Sequence, residues 1–250
     1  MPIKSDRPTL LTPARPKSGT GDSAPCAACH VRDFAVCGAL TPAELDRFGG
    51  EVHRIYLDIG TPLVDEGEPE RNVYSVTQGC LKSYKLLADG RRQITGFLFP
   101  GDFLGLTRSD TYTATVEAVT PATLCRLQRK ELDQLSRAIP NLDRRLHELA
   151  SEALAELQGQ LLLLGRKTAQ ERVASFLLTL SRRAVERGSV ANPVDVPMSR
   201  DDIADFLGLT TETVSRTMTR LRGQNLIVAN KDKTIEIVDA DALAKIAEGL

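Results

Sequence analysis

The sequence predicts an α+β protein: an N-terminal antiparallel β-roll, then one long dimer-forming helix, then a C-terminal winged helix-turn-helix. Three observations carry that expectation. Glycines recur at close intervals between short β-prone runs from about residue 52 to 126. Leucines then repeat at three- and four-residue steps from 142 to 164, and a capped helix pair with a polar outward face occupies 198–221. The expected units are a disordered leader over 1–25, a cysteine-rich loop and β-roll over 26–139, a dimerisation helix over 140–166 and a DNA-binding domain over 167–250.

The leader holds five prolines among Ser, Thr, Gly and Lys, with Leu10 and Leu11 as its apolar pair. Such a stretch buries too little apolar surface to offset the entropy of ordering it. Cys26 and Cys29 follow as a CxxC, with seven residues between Cys29 and Cys37 and His30 alongside. Three thiols within a dozen residues can converge on one centre if the loop folds around it. Thiolates suit zinc or an iron–sulfur cluster, and spacing alone does not separate the two. Without a signal peptide, the compartment is expected to be the cytoplasm, where cysteines serve metal or redox chemistry more readily than disulfides.

In the roll, Asp89-Gly90 between the runs 81–87 and 93–99 is a hairpin signal. A roll of this kind can hold a ligand, a metal or only its own side chains. A cupin-like enzyme is disfavoured because His53 is the one histidine in this stretch, leaving no paired His/Glu metal set. Cys80 follows Gly79 at a strand start and reads as a small apolar filler.

Pro140-Asn141 opens the longest helical pattern. Leu142, Leu146, Leu149, Ala153, Leu157, Leu161 and Leu164 form the seam expected of a two-stranded coiled coil, and Gly165-Arg166-Lys167 marks a hinge. A further helix over 167–188 presents Val173, Phe176, Leu177 and Leu180 to the domain that follows.

Ser199 and Asp202 resemble a capping box, so a helix should begin near Arg200, carry Ile203, Ala204 and Leu207 inward and end at Gly208. Thr210 caps the next helix, which turns Val214 and Leu221 inward and leaves Thr211, Glu212, Ser215 and Arg216 outward. Those residue types suit a major groove: Arg216 for guanine, Glu212 for a cytosine amine, Ser215 for several edges. The runs 226–229 and 234–238 around Asn230–Lys233 read as a wing.

Overall charge is silent, with Lys+Arg 32 against Asp+Glu 33. Phosphate contacts would have to come from a local set such as Arg220, Arg222, Lys231 and Lys233, doubled in a dimer. No apolar run is long enough to span a bilayer, so no membrane partner is expected.

The stretch LGLTTETVSRTMTRL resembles the recognition region of the Crp/Fnr superfamily of bacterial transcription regulators. Glu212-x-x-Ser215-Arg216 looks like the Fnr branch's version of it, and the likeness runs from about Cys26 to the C-terminus. The resemblance implies a cyclic-nucleotide-binding-like roll and no enzyme. It also implies a homodimer on double-stranded DNA, with Glu212, Ser215 and Arg216 reading a TTGAT half-site of a palindrome, Thr211 and Arg222 beside them, and RNA polymerase as a further partner. In the Fnr branch four cysteines hold a [4Fe–4S] cluster without oxygen, the cluster favours the dimer, and oxygen abolishes binding. The matching positions here are Cys26, Cys29, Cys37 and Cys125. The gap from Cys29 to Cys37 is longer than in the enterobacterial form. A regulator with structural zinc is the alternative. The family's nucleotide-binding residues are missing, since 103–106 lacks the Glu and 112–114 lacks the Arg, so no cyclic AMP is expected.

Overall fold

Eight strands of the sensor part pair into two facing sheets. The structure, a computed structural model, describes residues 26, 29–107 and 109–250, so the leader lies outside the described residues. A short 3-10 turn (Val36–Ala39) leads into α1 (Pro42–Glu51), started by a reciprocal Thr41/Glu44 capping box with Pro42 in its first turn. The strands are β1 (His53–Leu57), β2 (Pro62–Val64), β3 (Asn72–Gln78), β4 (Leu81–Leu86), β5 (Arg92–Leu98), β6 (Phe103–Leu104), β7 (Thr115–Ala118) and β8 (Ala122–Gln128). One sheet has the order β1-β8-β3-β6 and the other β2-β7-β4-β5, and every described pairing is antiparallel.

Alternation along the strands sorts side chains between an inner and an outer face. Ile55, Leu57, Leu63, Val76, Leu81, Val116 and Leu124 fill the space between the sheets. On the outer face of the β8-containing sheet, Val73 and Leu127 meet Val36, Phe48, Leu132, Leu135, Ile139 and Leu142. This second core binds α1, α2 (Arg129–Ala138) and the start of α3 (Pro140–Arg166) to the roll.

The 27-residue α3 runs for about 40 Å at 1.5 Å per residue. Its apolar stripe divides among three environments rather than forming one continuous seam. Leu142 is fully buried in the protomer's own core, Leu146 and Leu149 pack partly against it, and Leu164 lies on the core of the next domain. Between them Leu154, Leu157, Leu161 and Leu162 stay exposed, with Leu161 at 72 %. A leucine repeat reports an apolar face but not which surface covers it, so the expected seam narrows to the middle of the helix.

The C-terminal part comprises α4 (Ala169–Glu186), β9 (Val194–Asp195), α5 (Arg200–Leu207), α6 (Thr211–Gly223), β10 (Ile227–Ala229), β11 (Thr234–Ile237) and α7 (Ala240–Glu248). A three-stranded sheet ordered β10-β11-β9 forms the expected wing, with β9 an addition to the two strands foreseen. Val173, Leu177, Ile203, Leu207, Val214, Leu221, Ile227 and Leu243 make its core. That core continues without a break into Ile94, Phe97 and Phe99 of the roll, where Phe97, Phe176 and Phe206 stack at tilted angles.

Candidate functional site

The helix pair begins as the residue pattern requires. Ser199 Oγ accepts from the Asp202 amide while the Asp202 carboxylate accepts from Ser199, which satisfies donors at the start of α5. Gly208 adopts the left-handed conformation (φ 61°) that closes α5, and Thr210 Oγ1 accepts from the Thr213 amide to start α6. Val214, Thr217, Met218 and Leu221 are buried, so α6 has one face committed to the core. The opposite face presents Glu212, Ser215, Arg216, Thr219, Arg220 and Arg222 to solvent.

On that face Arg216 Nη2 pairs with Glu212 Oε1, and both side chains are mostly exposed. The pair holds the guanidinium extended over the first turns of α6 without burying it, so a stronger partner can take it over. Thr211 is exposed as well, and its hydroxyl donates to Asp201 Oδ1 at 2.6 Å, bracing the two helices. In the wing, Lys231 and Lys233 are exposed at the β10–β11 turn, where Asp232 accepts from the Thr234 amide. The arrangement offers a hydrogen-bonding face flanked by fixed positive charge, which suits a duplex.

The second candidate centre is built from the N-terminal turns and β8. Cys29 N–H donates to Cys26 O at 3.4 Å, and Leu40 N–H donates to Cys37 O at 3.2 Å, so the loop is curled by its own backbone. Cys125 pairs across the sheet with Ser75 on one side and Arg54 on the other. Strand alternation places it on the outer face with Leu127, the face against which Cys37 packs. The four thiols lie within electrostatic reach of one another. Burial, then the Cys26, Cys29 and Cys37 thiols, pushes Cys125 up to about 12, and Arg54 partly offsets this. Burial, then Cys29 and Cys26, pushes Cys37 up to about 11. Cys26 is raised by burial and by Cys29 in the same way. Such a set is costly to ionise without a neighbouring positive charge. Among the described residues, no group of three or more His, Cys, Asp or Glu side chains is placed to hold a metal ion.

The loop is also tied to α3. The 3-10 turn packs on that helix, and Arg145 Nη2 donates to Phe34 O at 3.4 Å. The Phe34 ring lies over Gly101, where a Cβ would come within 2.3 Å of it. Cys80 stands apart, 2 % exposed in the interdomain core, with burial raising its thiol far above the ordinary value. Tyr112 belongs to the roll. It is buried in the inner core, with its hydroxyl donating to Asn72 O at 2.8 Å.

Several residues of these centres escape sequence reasoning. Arg54 is brought to the thiols only by strand register. Lys82 and Arg92 reach Asp202 and Asp205 from β4 and β5, and Arg172 and Gln160 reach the end of α5 from two other helices. Nothing local marks any of them, because each acts across more than thirty residues of sequence.

Residues 171–246 match the Crp-like helix-turn-helix domain and residues 54–138 the cyclic nucleotide-binding domain. The chain is 40% identical over 202 residues to the nitrogen fixation regulation protein FixK of Bradyrhizobium diazoefficiens, covering 81% of this chain and 85% of that protein. It is 36% identical over 227 residues to the transcriptional activator protein anr of Pseudomonas aeruginosa, covering 90% and 93%. Among solved structures it resembles FixK2 from Bradyrhizobium japonicum, with a TM-score of 0.73 and 36% identity over 78% of this chain and 96% of that one.

Proposed function

This chain belongs to the Crp/Fnr family of DNA-binding transcription regulators, and from that premise we propose that it is an Fnr-type regulator that responds to oxygen. Cys26, Cys29, Cys37 and Cys125 hold a [4Fe–4S] cluster, and the homodimer reads a TTGAT-type palindrome to control genes of anaerobic or microaerobic metabolism. The observation that carries this reading is that Cys125 on β8, partly buried, faces the three cysteines of the N-terminal turns within electrostatic reach.

The donor set fits the group. Four thiols share the space, with the Asp46 carboxylate acting on Cys26, and Arg54 supplies positive charge that offsets part of the net negative charge of a thiolate cluster. A single zinc ion would draw its four sulfurs to within about 3.8 Å of one another, given Zn–S bonds near 2.3 Å. A four-iron cluster binds each thiolate at a separate iron and so spaces them more widely. When bound, the cluster supplies the oxygen-reactive chemistry.

The chain's own residues carry the response onward. The cysteine loop is clamped to α3 through the 3-10 turn and Arg145, so its posture bears on the helix that presents Ala153, Leu154, Leu157 and Leu161 to a second copy. Dimerisation doubles the reading face. Glu212, Ser215 and Arg216 then meet base edges, and Arg220, Arg222, Lys231 and Lys233 meet phosphates. Relatives named as activators support contact with RNA polymerase, and a cytoplasmic location follows from the DNA target. No described helix is long and apolar enough to cross a membrane.

Protein purified without oxygen is expected to carry about four irons and four sulfides per chain and a broad visible absorption that bleaches in air. Zinc without labile sulfide, in protein that binds the palindrome equally in air and in nitrogen, would contradict the reading.

A further inference from the structure

The end of α5 is a point at which the reading domain meets the roll, the long helix and α4 together. A helix leaves its last carbonyls without intrahelical donors. Here the Gly208 and Leu209 amides both return to Ala204 O, which leaves Asp205, Phe206 and Leu207 open. Each is closed by a side chain from elsewhere. Gln93 Nε2, on β5 of the roll, donates to Asp205 O at 2.6 Å. Gln160 Nε2, on α3, donates to Phe206 O at 3.0 Å. Arg172 Nη1, on α4, donates to Leu207 O at 2.8 Å.

Arg172 does more than cap. Its Nη2 donates to Leu164 O at 2.9 Å, at the end of α3, and its Nε to Lys167 O at 2.9 Å, in the hinge. One planar guanidinium thus joins the free carbonyls of two helices and the loop between domains, a geometry Lys cannot reproduce. The fit is close, since a Cβ on Gly208 would lie 3.3 Å from the Leu164 side chain and 3.4 Å from Arg172. Apolar contact between Leu164 and the reading domain holds the parts together but is non-directional and tolerates rotation. Carbonyl-directed hydrogen bonds do not, because they weaken steeply off axis.

We propose that Gln160 and Arg172 are positioning residues that fix α6 at one angle to the dimer helix, and thereby set the half-site spacing that the dimer accepts. The helix α3 carries the face through which two copies meet, so the angle between it and α5 determines how far apart and how rotated the two α6 helices lie. One extra base pair moves a half-site by about 3.4 Å and turns it by about 35°. A head held by directed bonds from two helices cannot follow that change, whereas a head on a loosened hinge can. The inference rests on the palindrome-reading dimer proposed above.

The test compares wild type, Gln160→Met and Arg172→Lys as cluster-loaded full-length protein without oxygen. Affinity is measured on duplexes with two TTGAT half-sites at the best spacing and at one base pair shorter and longer. Sedimentation and a duplex with one half-site base replaced are run alongside. Wild type should discriminate among spacings by at least about tenfold. Both variants should dimerise with wild-type strength and keep the base preference while their spacing ratio falls to within about threefold. Wild-type spacing ratios in both variants would overturn the inference, as would equal loss on every spacing, which is what a merely structural role gives. A wild type that prefers no palindrome over a single half-site would overturn the dimeric-reader proposal along with it.

Discussion

Lys82 Nζ lies 3.0 Å from Asp202 Oδ1, so one carboxylate both caps the first helix of the reading pair and anchors it to the roll. Arg92 Nη2 reaches the same oxygen at 2.9 Å. Burial works to raise Asp202, but Lys82, the Ser199 hydroxyl and Arg92 outweigh it and hold its carboxyl below the usual value. A depressed folded-state value means that the stabilisation is present at neutral pH. It is lost as pH falls through that value, beneath the unfolded value of about 3.9. Asp202→Asn should therefore cost about 2 kcal/mol at pH 7, less than a stranded buried charge because Lys82 keeps Glu117 at 3.2 Å. Calorimetry should show the gap between variant and wild type closing as pH is lowered toward 3; a gap constant with pH would deny the ion pair its role.

The exposed middle of α3 leads to a second expectation. Leu157 is 53 % exposed in the protomer and makes no core contact that its loss would disrupt. Leu157→Glu should leave the protomer's melting temperature nearly unchanged while setting like charges across a two-fold interface. Sedimentation of cluster-loaded protein should show monomer, with specific DNA binding lost. Full-strength dimer would mean that another surface pairs the copies.

Base readout and phosphate contact separate on α6. Arg216 pairs with Glu212 in an exposed ion pair, which the proposed reading exchanges for a guanine edge. Arg216→Ala should cost roughly 1–3 kcal/mol on the cognate site and relax preference at one base pair per half-site. Arg222→Ala, at the last turn, should weaken cognate and random DNA alike and reduce the salt slope. Equal losses on both DNAs for Arg216→Ala would remove it from the readers.

What the sequence made legible follows the range of the forces involved. The helix pair was readable to within a residue or two because caps, the Gly208 turn and the apolar stripe are all local: Ser199, Asp202, Gly208 and Thr210 act within their own turns. The 3.6-residue period also showed α3, but not that Leu142 is spent on the protomer's own core. The helix α1 is absent from the sequence-based expectations although Thr41-Pro42-Ala43-Glu44 spells a capping box with an N-terminal proline. The interdomain clamp of Lys82, Arg92 and Asp202 and the carbonyl caps of Gln93, Gln160 and Arg172 had no local signature, because only the packed fold brings them together. Cys125 was found through family resemblance alone, as no spacing rule links it to Cys26.

Two cysteines of the roll provide the sharpest test of the cluster assignment. Cys80 and Cys125 are both largely buried thiols near strand backbone, but their surroundings differ in kind. Around Cys80 lie Arg183, Arg187 and Asp102, with Val119 and Phe99 in the same core, and no other cysteine acts on it. Around Cys125 lie Cys26, Cys29, Cys37 and Arg54. A cluster left with three thiolates has one iron open to solvent and oxidants and should be labile. Cys125→Ser is thus expected to lose iron, sulfide and anaerobic DNA binding, while Cys80→Ser keeps all three and loses only about 1 kcal/mol of stability by placing a hydroxyl in an apolar pocket. Anaerobic reconstitution followed by iron and sulfide assay decides between them. Retention in Cys125→Ser with loss in Cys80→Ser would reverse the assignment, and retention in both would turn attention to a non-thiolate fourth ligand, with His30 next in the chain after Cys29.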